Sequence, residues 1–233
     1  ASPEATFRYA QEVLMPASRW DAIRDLLDYT DRVDPNNSRT AQMRGYVDRL
    51  QTVTATTQRL QAKAAKTPLS AHENLSLAQS LLSLGRSGPA AEAARKALAL
   101  PDAASFDLAY SAALILSQCG QRGDAANAMK RAAAVMPPTA DPRMRREVAA
   151  VLAEGGLNAE AETVLNAYLN DQALSKDAEA WLQLALVKDA LGQVQSAQGA
   201  ILQAYKLNPE LTSQRLGASE PLQRIAAPLF RRK

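Results

Sequence analysis

The side chains that most often carry out catalysis or hold metals are scarce in this chain of 233 residues. His72 is the only histidine and Cys119 the only cysteine, so neither a histidine pair for zinc nor an internal disulfide can form. A serine, histidine and aspartate triad would have to use His72. This residue falls in the first turn of a predicted helix, where we expect it on the surface. The sequence therefore predicts a protein that is not an enzyme and has no metal or cofactor.

Two further segments resemble reactive or phosphate-binding sites only superficially. Cys119 ends an alanine-rich helix, where we expect a small buried hydrophobic residue, with a reactive thiol as the alternative. The segment 85–89 contains two glycines, but it lacks the Gly-Lys-Ser/Thr ending and the preceding strand of a phosphate-binding loop. Its position between two predicted helices favours a simple turn.

A regular spacing of glycine and alanine predicts how the helices of the chain are arranged. Four glycines lie 35, 36 and 36 residues apart, and each is followed five residues later by an alanine. The pairs are Gly85/Ala90, Gly120/Ala125, Gly156/Ala161 and Gly192/Ala197. Such periods are typical of stacked helix pairs, in which each repeat buries its apolar face against its neighbours. A glycine at a helix end adopts the left-handed conformation that closes the turn.

The composition agrees with a helical array and says little about the compartment. The chain is 47% hydrophobic but only 5% aromatic, and alanine and leucine favour helices. It has no run of 18 apolar residues, so we expect a soluble segment without a transmembrane helix. The first four residues lack the basic and apolar regions of a signal peptide. A removed signal, a longer parent chain, and a cytoplasmic, periplasmic or membrane-attached location all stay open.

Four repeat units follow from the glycine positions, and the last one carries the clearest pattern. The units cover about 71–104, 106–139, 142–175 and 178–211. Positions 4, 7, 8, 15, 20, 24, 27 and 32 of the last unit are Trp181, Leu184, Ala185, Gly192, Ala197, Ile201, Ala204 and Pro209. This pattern resembles the tetratricopeptide repeat, with Ala185 where the family has glycine and Lys188 where it has tyrosine. The resemblance implies an all-α fold, a right-handed superhelix of helix pairs.

The helix starts support these boundaries, although one unit fits the pattern less well. Ser70 and Glu73 have the spacing of a capping box, and Asp141 precedes a proline at the first helical position. In the unit 142–175, Tyr168 occupies a slot where a small residue is expected.

The N-terminal part of the chain departs from the regular repeats. Residues 1–37 are predicted to form a degenerate helical-repeat unit, with its turn near Met15-Pro16. Its expected core residues are Phe7, Ala10, Leu14, Ile23 and Leu27. Residues 38–67 are predicted to contain one long helix with an apolar seam in alternating steps of three and four. The seam consists of Met43, Tyr46, Leu50, Val53, Thr57, Leu60 and Ala64. Two interpretations stay open: neighbouring helices of the same chain cover the seam, or it forms a homodimer contact.

The C-terminal segment 212–233 is predicted to be a capping helix followed by a basic tail. We expect a loop from Leu211 to Ala218, and then a short amphipathic helix that starts at Ser219 and covers the last repeat. The apolar side chains of that helix are Leu222, Ile225, Leu229 and Phe230. The final residues, Arg231 to Lys233, are expected to be solvated.

The resemblance also implies a function, namely a non-catalytic scaffold that binds a peptide or helical segment of a partner protein. In tetratricopeptide arrays the first helix of each pair lines the concave face with its positions 2, 5, 9 and 12. The residues expected to contact a partner are therefore Leu75, Gln79, Tyr110, Leu114, Arg143, Arg146 and Leu182. Tyr110 would be a solvent-facing aromatic anchor, and Arg143 with Arg146 a basic edge. The family's lysine and asparagine clamp for a C-terminal carboxylate is replaced here by Leu75 and Gln79.

An alternative function is the binding of nucleic acid or another polyanion. It rests on Arg143, Arg145, Arg146 and the basic C-terminus, together with a net charge of +3. Such binding would weaken linearly with the logarithm of the salt concentration.

Overall fold

The computed structural model describes residues 3–14 and 19–230, and within these ranges every regular element is a helix. Met15-Pro16 and the residues from Arg231 to Lys233 lie outside the described residues. The α-helices in chain order are α1 (Pro3–Tyr9), α2 (Trp20–Val33), α3 (Ser38–Ala64), α4 (Ala71–Ser83), α5 (Ser87–Ala99), α6 (Phe106–Gln118), α7 (Arg122–Ala134), α8 (Pro142–Glu154), α9 (Asn158–Leu169), α10 (Ala178–Ala190), α11 (Val194–Leu207), α12 (Pro209–Ala218) and α13 (Glu220–Phe230). The prediction of an all-α fold is confirmed.

The chain divides into two compact units. Unit 1 contains residues 1–69 and 79–86, and unit 2 contains residues 70–78 and 87–233. Two short turns add to the α-helices: a π-helical turn at Ala10–Leu14 in unit 1 and a 3-10 turn at Pro101–Ala103 in unit 2.

The helices α6 to α11 form the pairs α6/α7, α8/α9 and α10/α11, and a glycine of the repeat pattern lies in the turn of each pair. The fourth of these glycines, Gly85, follows α4. Gly85, Gly120, Gly156 and Gly192 have φ angles of 71°, 76°, 83° and 75°, in the left-handed region that disfavours side chains with a Cβ. The alanines five residues after them are fully buried, as the spacing predicts. The sequence pattern therefore placed both the turns and these buried alanines correctly.

Local hydrogen bonds begin the helices at the predicted places. The backbone N–H of Glu73 donates to the Ser70 hydroxyl at 3.2 Å, and the Ser70 N–H donates back to the Glu73 carboxylate at 3.1 Å. This is the reciprocal arrangement of a capping box. Asp141 likewise accepts from the N–H of Arg143 at 2.7 Å at the start of α8.

The core of unit 2 is built from small residues, and one contact leaves no room at all. At the end of α8, a Cβ on Gly155 would lie 2.2 Å from the Ala126 Cβ and 2.8 Å from the backbone oxygen of Arg122. Both contacts belong to α7, the second helix of the preceding pair. Gly155 has φ −88°, so the close approach of the helices, and not the backbone conformation, is what requires a glycine here.

The expected loop from Leu211 to Ala218 is wrong, because this segment forms most of α12. Asn208 caps the helix by accepting from the N–H of Leu211 at 3.0 Å, and Pro209 occupies the first turn, where proline is favourable. Thr212 is fully buried. The proline that ends the repeat pattern thus begins another helix.

The next helix, α13, covers the last repeat as predicted. Leu222, Ile225 and Ala226 are buried in one cluster with residues of α10 and α11, and Leu229 packs against that cluster. The side chain of Phe230 lies outside the described residues.

Unit 1 has a core made by α1, α2 and α3. The five predicted core residues of the degenerate unit are buried, and Val47 of α3 joins them. Arg44 of α3 pairs with Asp28 at 2.5 Å and with Asp31 at 2.7 Å, both on α2. In the α3 seam, Thr57 and Leu60 are buried by the chain itself, whereas Tyr46 is exposed. This burial favours the first interpretation of the seam, in which the same chain covers it.

Candidate functional site

The candidate site lies on the face of unit 2 that carries positions 2, 5, 9 and 12 of the first helices, which we call the groove face. Helix α8 contacts both α6 and α10, so these first helices lie side by side. On this face Leu114, Ala150 and Ala153 are half-buried, and Leu186 is 36% exposed. The groove face therefore offers an apolar strip from α6 to α10.

The first helix α4 contributes less to this strip than predicted. Leu75 is half-buried and packs against the cluster of Ala71, Ala97 and Leu108, so part of its side chain serves the core. Gln79 is exposed and belongs to unit 1.

The expectation that Tyr110 faces solvent as an aromatic anchor is wrong. Tyr110 is only 8% exposed, its ring stacks on Phe106 with centroids 5.4 Å apart, and its hydroxyl donates to the Glu147 carboxylate of α8. Burial, followed by this hydrogen bond to a carboxylate, raises the pKa of Tyr110. The residue connects α6 to α8, and both its ring and its hydroxyl make contacts within the protein.

Arg146 likewise forms contacts within the array. Its guanidinium lies 3.3 Å from Asp177 and 3.0 Å from Glu179, so it joins α8 to the start of α10. Arg215 of α12 pairs with the same Glu179 carboxylate. The hydrogen bonds from Arg215 and then Arg146 lower the pKa of Glu179, although burial opposes this change.

The neighbouring arginines differ in their contacts. The guanidinium of Arg145 donates to the backbone oxygen of Pro138, whereas Arg143 is exposed at the start of α8. Since Arg145 and Arg146 bind groups of their own chain, the three arginines do not form a free basic patch.

Asp177 explains why Tyr168 occurs in a slot expected for a small residue. The Tyr168 hydroxyl donates to Asp177 at 2.7 Å, and the other carboxylate oxygen caps α10 by accepting from the N–H of Ala180. Tyr168 is buried, and burial, followed by the hydrogen bond to Asp177, raises its pKa to about 12. A tyrosine that the repeat pattern did not predict therefore helps to hold the start of the next repeat.

A cleft that the sequence did not indicate continues the groove face at its C-terminal end. It has a volume of about 380 Å³ and lies between α10, α12 and α13. Its lining residues are Glu179, Leu182, Gln183, Leu186, Arg215, Ala218, Ser219 and Leu222. Leu182, one of the predicted contact residues, is 4% exposed at its base. The cleft was not predicted because the segment of α12 was expected to be a loop. Asn208 and Pro209 could have indicated the helix, since they form a capping residue followed by a proline at the first helical position.

A second cavity, in unit 1, has a volume of about 310 Å³ and lies between α1 and α3. It is lined by Phe7, Arg39, Gln42, Met43 and Tyr46. None of the predicted contact residues lines it.

The described residues contain little that could support chemistry. Within them, no group of three or more histidine, cysteine, aspartate or glutamate residues could hold a metal ion. Cys119 is half-buried, and this burial raises the pKa of its thiol, which disfavours the reactive thiolate. His72 is exposed. None of the helices in the described ranges is long and apolar enough to cross a membrane.

The profile of the tetratricopeptide repeat family matches residues 178–211, the unit with the clearest pattern. Residues 178–211 therefore carry a tetratricopeptide repeat. No curated protein matches the sequence. Among solved structures, this chain is similar to YrrB, described as a TPR protein with an unusual peptide-binding site. That likeness has a TM-score of 0.55 at 15% identity and covers 83% of this chain and 98% of YrrB.

A second similar structure is the "MamA RS-1 ArsTM double mutant". It aligns with a TM-score of 0.50 at 20% identity and covers 69% of this chain and 85% of the other. At such identities the two likenesses show the fold alone, which is an all-α helical repeat.

Proposed function

We propose that this protein is a non-catalytic scaffold that binds an extended or helical segment of a partner protein on the groove face of unit 2. The observation that carries the proposal is the apolar strip of Leu114, Ala150, Ala153 and Leu186, whose members come from three successive first helices and retain exposed surface. Apolar surface shared by adjacent helices is what a partner helix or strand can bury. Tyr110 is not part of this surface, and we exclude it from the partner contacts.

Small residues at the middle of the strip support the same proposal. Ala150 and Ala153 leave the backbone of α8 close to the surface, so a partner segment can approach without clashing with long side chains. The longer Leu114 and Leu186 stand on either side in sequence order and would pack against it. Of the remaining predicted contact residues, Leu75, Arg143, Arg146 and Leu182 would contribute at the edges or through the core, and Gln79 of unit 1 is left out.

The polyanion alternative has less support. Arg145 and Arg146 bind groups of their own chain, and the two carboxylates of Asp177 and Glu179 offset the positive charge of Arg146. Only Arg143 of the three is exposed.

The test uses the full chain to capture partners from its source and then measures each partner by calorimetry against two variants. Ala150→Arg places a long charged side chain in the middle of the groove face, and we expect it to weaken binding about tenfold or more. Asn166→Arg, at an exposed position of the second helix α9, is the matched control and should bind as the unchanged chain does. Equal affinities of both variants would contradict the proposal. Recovery of nucleic acid alone, with strongly salt-dependent affinity, would favour the alternative.

A further inference from the structure

The cleft between α10, α12 and α13 has an apolar base and a polar rim. Leu182 and Leu222 form the base and are each 4% exposed, while Leu186 and Ala218 stand at more exposed positions of the lining. Its volume of about 380 Å³ lies at the small end of the range for ligand pockets, roughly 300–1,000 Å³. A cleft of this size and lining suits a bulky apolar side chain of a bound segment.

One polar atom of the lining lacks a partner of its own. The side-chain oxygen Oε1 of Gln183 is shielded from solvent and accepts no hydrogen bond within the described part of the chain. Shielded acceptors in native proteins are nearly always paired. Because this atom is shielded from solvent, it lies behind the surface that a bound segment would contact.

Two arginines of the capping helices cover acidic residues at the two ends of α10. Arg215 of α12, whose side chain is 55% exposed, lies over Glu179, which is 35% exposed. Arg224 of α13, 71% exposed, pairs at 2.6 Å with Asp189, which is 19% exposed. In both pairs the guanidinium is the more accessible partner, and its five N–H donors exceed what one carboxylate uses. Arg215 therefore offers hydrogen-bond donors in the cleft, and Arg224 offers them outside it, near the C-terminal end of α10.

The spacing of these pairs limits the shape of the ligand. Glu179 and Asp189 are ten residues apart on α10, which corresponds to about 15 Å along the helix. An extended chain covers this distance in four or five residues, at about 3.3 Å each. A basic segment would have to displace the two arginines from their carboxylates. The carboxylates of an acidic segment can instead bind the N–H groups of the arginines that Glu179 and Asp189 leave unused.

We propose that this cleft binds an extended acidic segment of a partner, with a bulky apolar side chain in the cleft and carboxylates four or five residues apart on Arg215 and Arg224. This inference rests on the proposed function, since it extends the partner segment to the C-terminal end of the groove face. It adds the capping helices α12 and α13 to the binding surface. Their role is then recognition as well as protection of the last repeat.

The probes are fluorescein-labelled peptide pools of the form Asp-X-X-Φ-X-Glu and Asp-X-Φ-X-Glu, where Φ is leucine or phenylalanine and X is varied. Matched pools carry serine at Φ, or asparagine and glutamine in place of the acids. We expect fluorescence anisotropy with the full chain to show at least about tenfold tighter binding of the acidic apolar pools. Affinities that are equal across all pools would overturn the inference.

Variants of the protein then locate the binding. Ala218→Trp fills the cleft, and Leu186→Ser removes part of its apolar rim; each should weaken binding of the acidic apolar pools about tenfold. Replacing both Arg215 and Arg224 by glutamine should remove the preference for acids while leaving the preference for leucine or phenylalanine. Ala134→Trp and Lys206→Gln, at exposed positions of α7 and α11, are the matched controls and should change nothing. Circular dichroism melting verifies that each variant is folded.

The variant Ala150→Arg separates failure of this inference from failure of the proposed function. If Ala150→Arg weakens binding of the captured partner while folded Ala218→Trp does not, the cleft is not a binding site and the groove face still is. If neither variant weakens it, both are wrong.

Discussion

Two neighbouring junctions of unit 2 are held together in different ways. The junction between the second and third repeats depends on close packing, because α8 approaches α7 so tightly at Gly155 that no Cβ fits. The junction between the third and fourth repeats depends on polar side chains. Arg146 pairs with Asp177 and Glu179, the Tyr168 hydroxyl donates to Asp177, and Arg215 pairs with Glu179. Packing contacts respond to volume and polar contacts respond to pH and salt, so the two junctions should fail under different perturbations.

The largest effect is expected from Gly155→Ala at the packed junction. The added methyl group would overlap Ala126 and a backbone oxygen that cannot rotate away, so α7 and α8 must separate. Overpacking of this kind costs about 3 kcal/mol of unfolding free energy, at the upper end of the usual range. Urea unfolding monitored by circular dichroism measures it.

The matched control is Gly123→Ala in α7, where nothing lies within 4 Å of an added Cβ. This change should stabilise the protein by about 0.5–1 kcal/mol, because alanine favours helices over glycine. Equal stability of the two variants would show that the junction is not packed as described.

A somewhat smaller effect, about 2 kcal/mol, is expected from Asp177→Ala at the polar junction. The change removes the cap of α10 and leaves the buried hydroxyl of Tyr168 without its acceptor. Asp141→Ala is the control, since it removes the cap of α8 without an attached buried tyrosine, and should cost about 1 kcal/mol. Thermal unfolding of the two variants compares them; a larger loss for Asp141→Ala would contradict the role given to Tyr168.

Tyr168→Phe should cost about 1 kcal/mol at neutral pH, the usual net value of one hydrogen bond. The pKa of Tyr168 is raised from 10 to about 12, so the bond contributes fully below pH 10 and its contribution is lost as the pH rises through 12. The stability difference between the unchanged chain and Tyr168→Phe should therefore shrink between these values. Titration of lysine residues affects both proteins and cancels in the difference. A difference that stays constant would mean that Tyr168 ionises as in the unfolded chain.

The smallest effect, about 0.5 kcal/mol, is expected from Glu179→Gln, because its ion pairs are partly exposed and screened by solvent. The pKa of Glu179 lies below its usual value of 4.5, so its stabilising effect is present above pH 4.5 and disappears as the pH falls through the lowered value. Melting temperatures at pH 7 and pH 3, each with low and high salt, test this. Glu154→Gln, at an exposed position of α8, should show no such dependence on pH or salt.

The features predicted from the sequence are those that depend on a few adjacent residues. A glycine that must adopt positive φ, as at Gly85, and a capping box, as at Ser70, are local properties, so their positions were predicted correctly. Periodicity also predicted the buried alanines, because every repeat uses the same contact. The long helix α3 followed from the absence of proline and from its regular apolar spacing.

Features that depend on contacts between repeats were not predicted. The orientation of Tyr110 is determined by Glu147 on the next first helix, 37 positions away, and no property of the residue itself indicates it. The need for glycine at Gly155 comes from the closeness of α7, whereas the repeat pattern accounts only for Gly156. The cleft was missed for the same reason, since it requires the correct positions of α10, α12 and α13 together. Four of the seven expected contact residues thus make contacts within the array itself: Leu75, Tyr110, Arg146 and Leu182.

The contact at Gly155 has a consequence for how the repeats can be exchanged. A repeat that begins with α8 fits only behind a second helix that offers a small residue at the position of Ala126, so the second and third repeats form a matched pair. Chimeras that transplant these two repeats together should preserve their fit, whereas shuffling either one alone brings an unsuited neighbour against the glycine. In this protein the module that can be inherited or engineered as one piece is therefore two repeats long at this point.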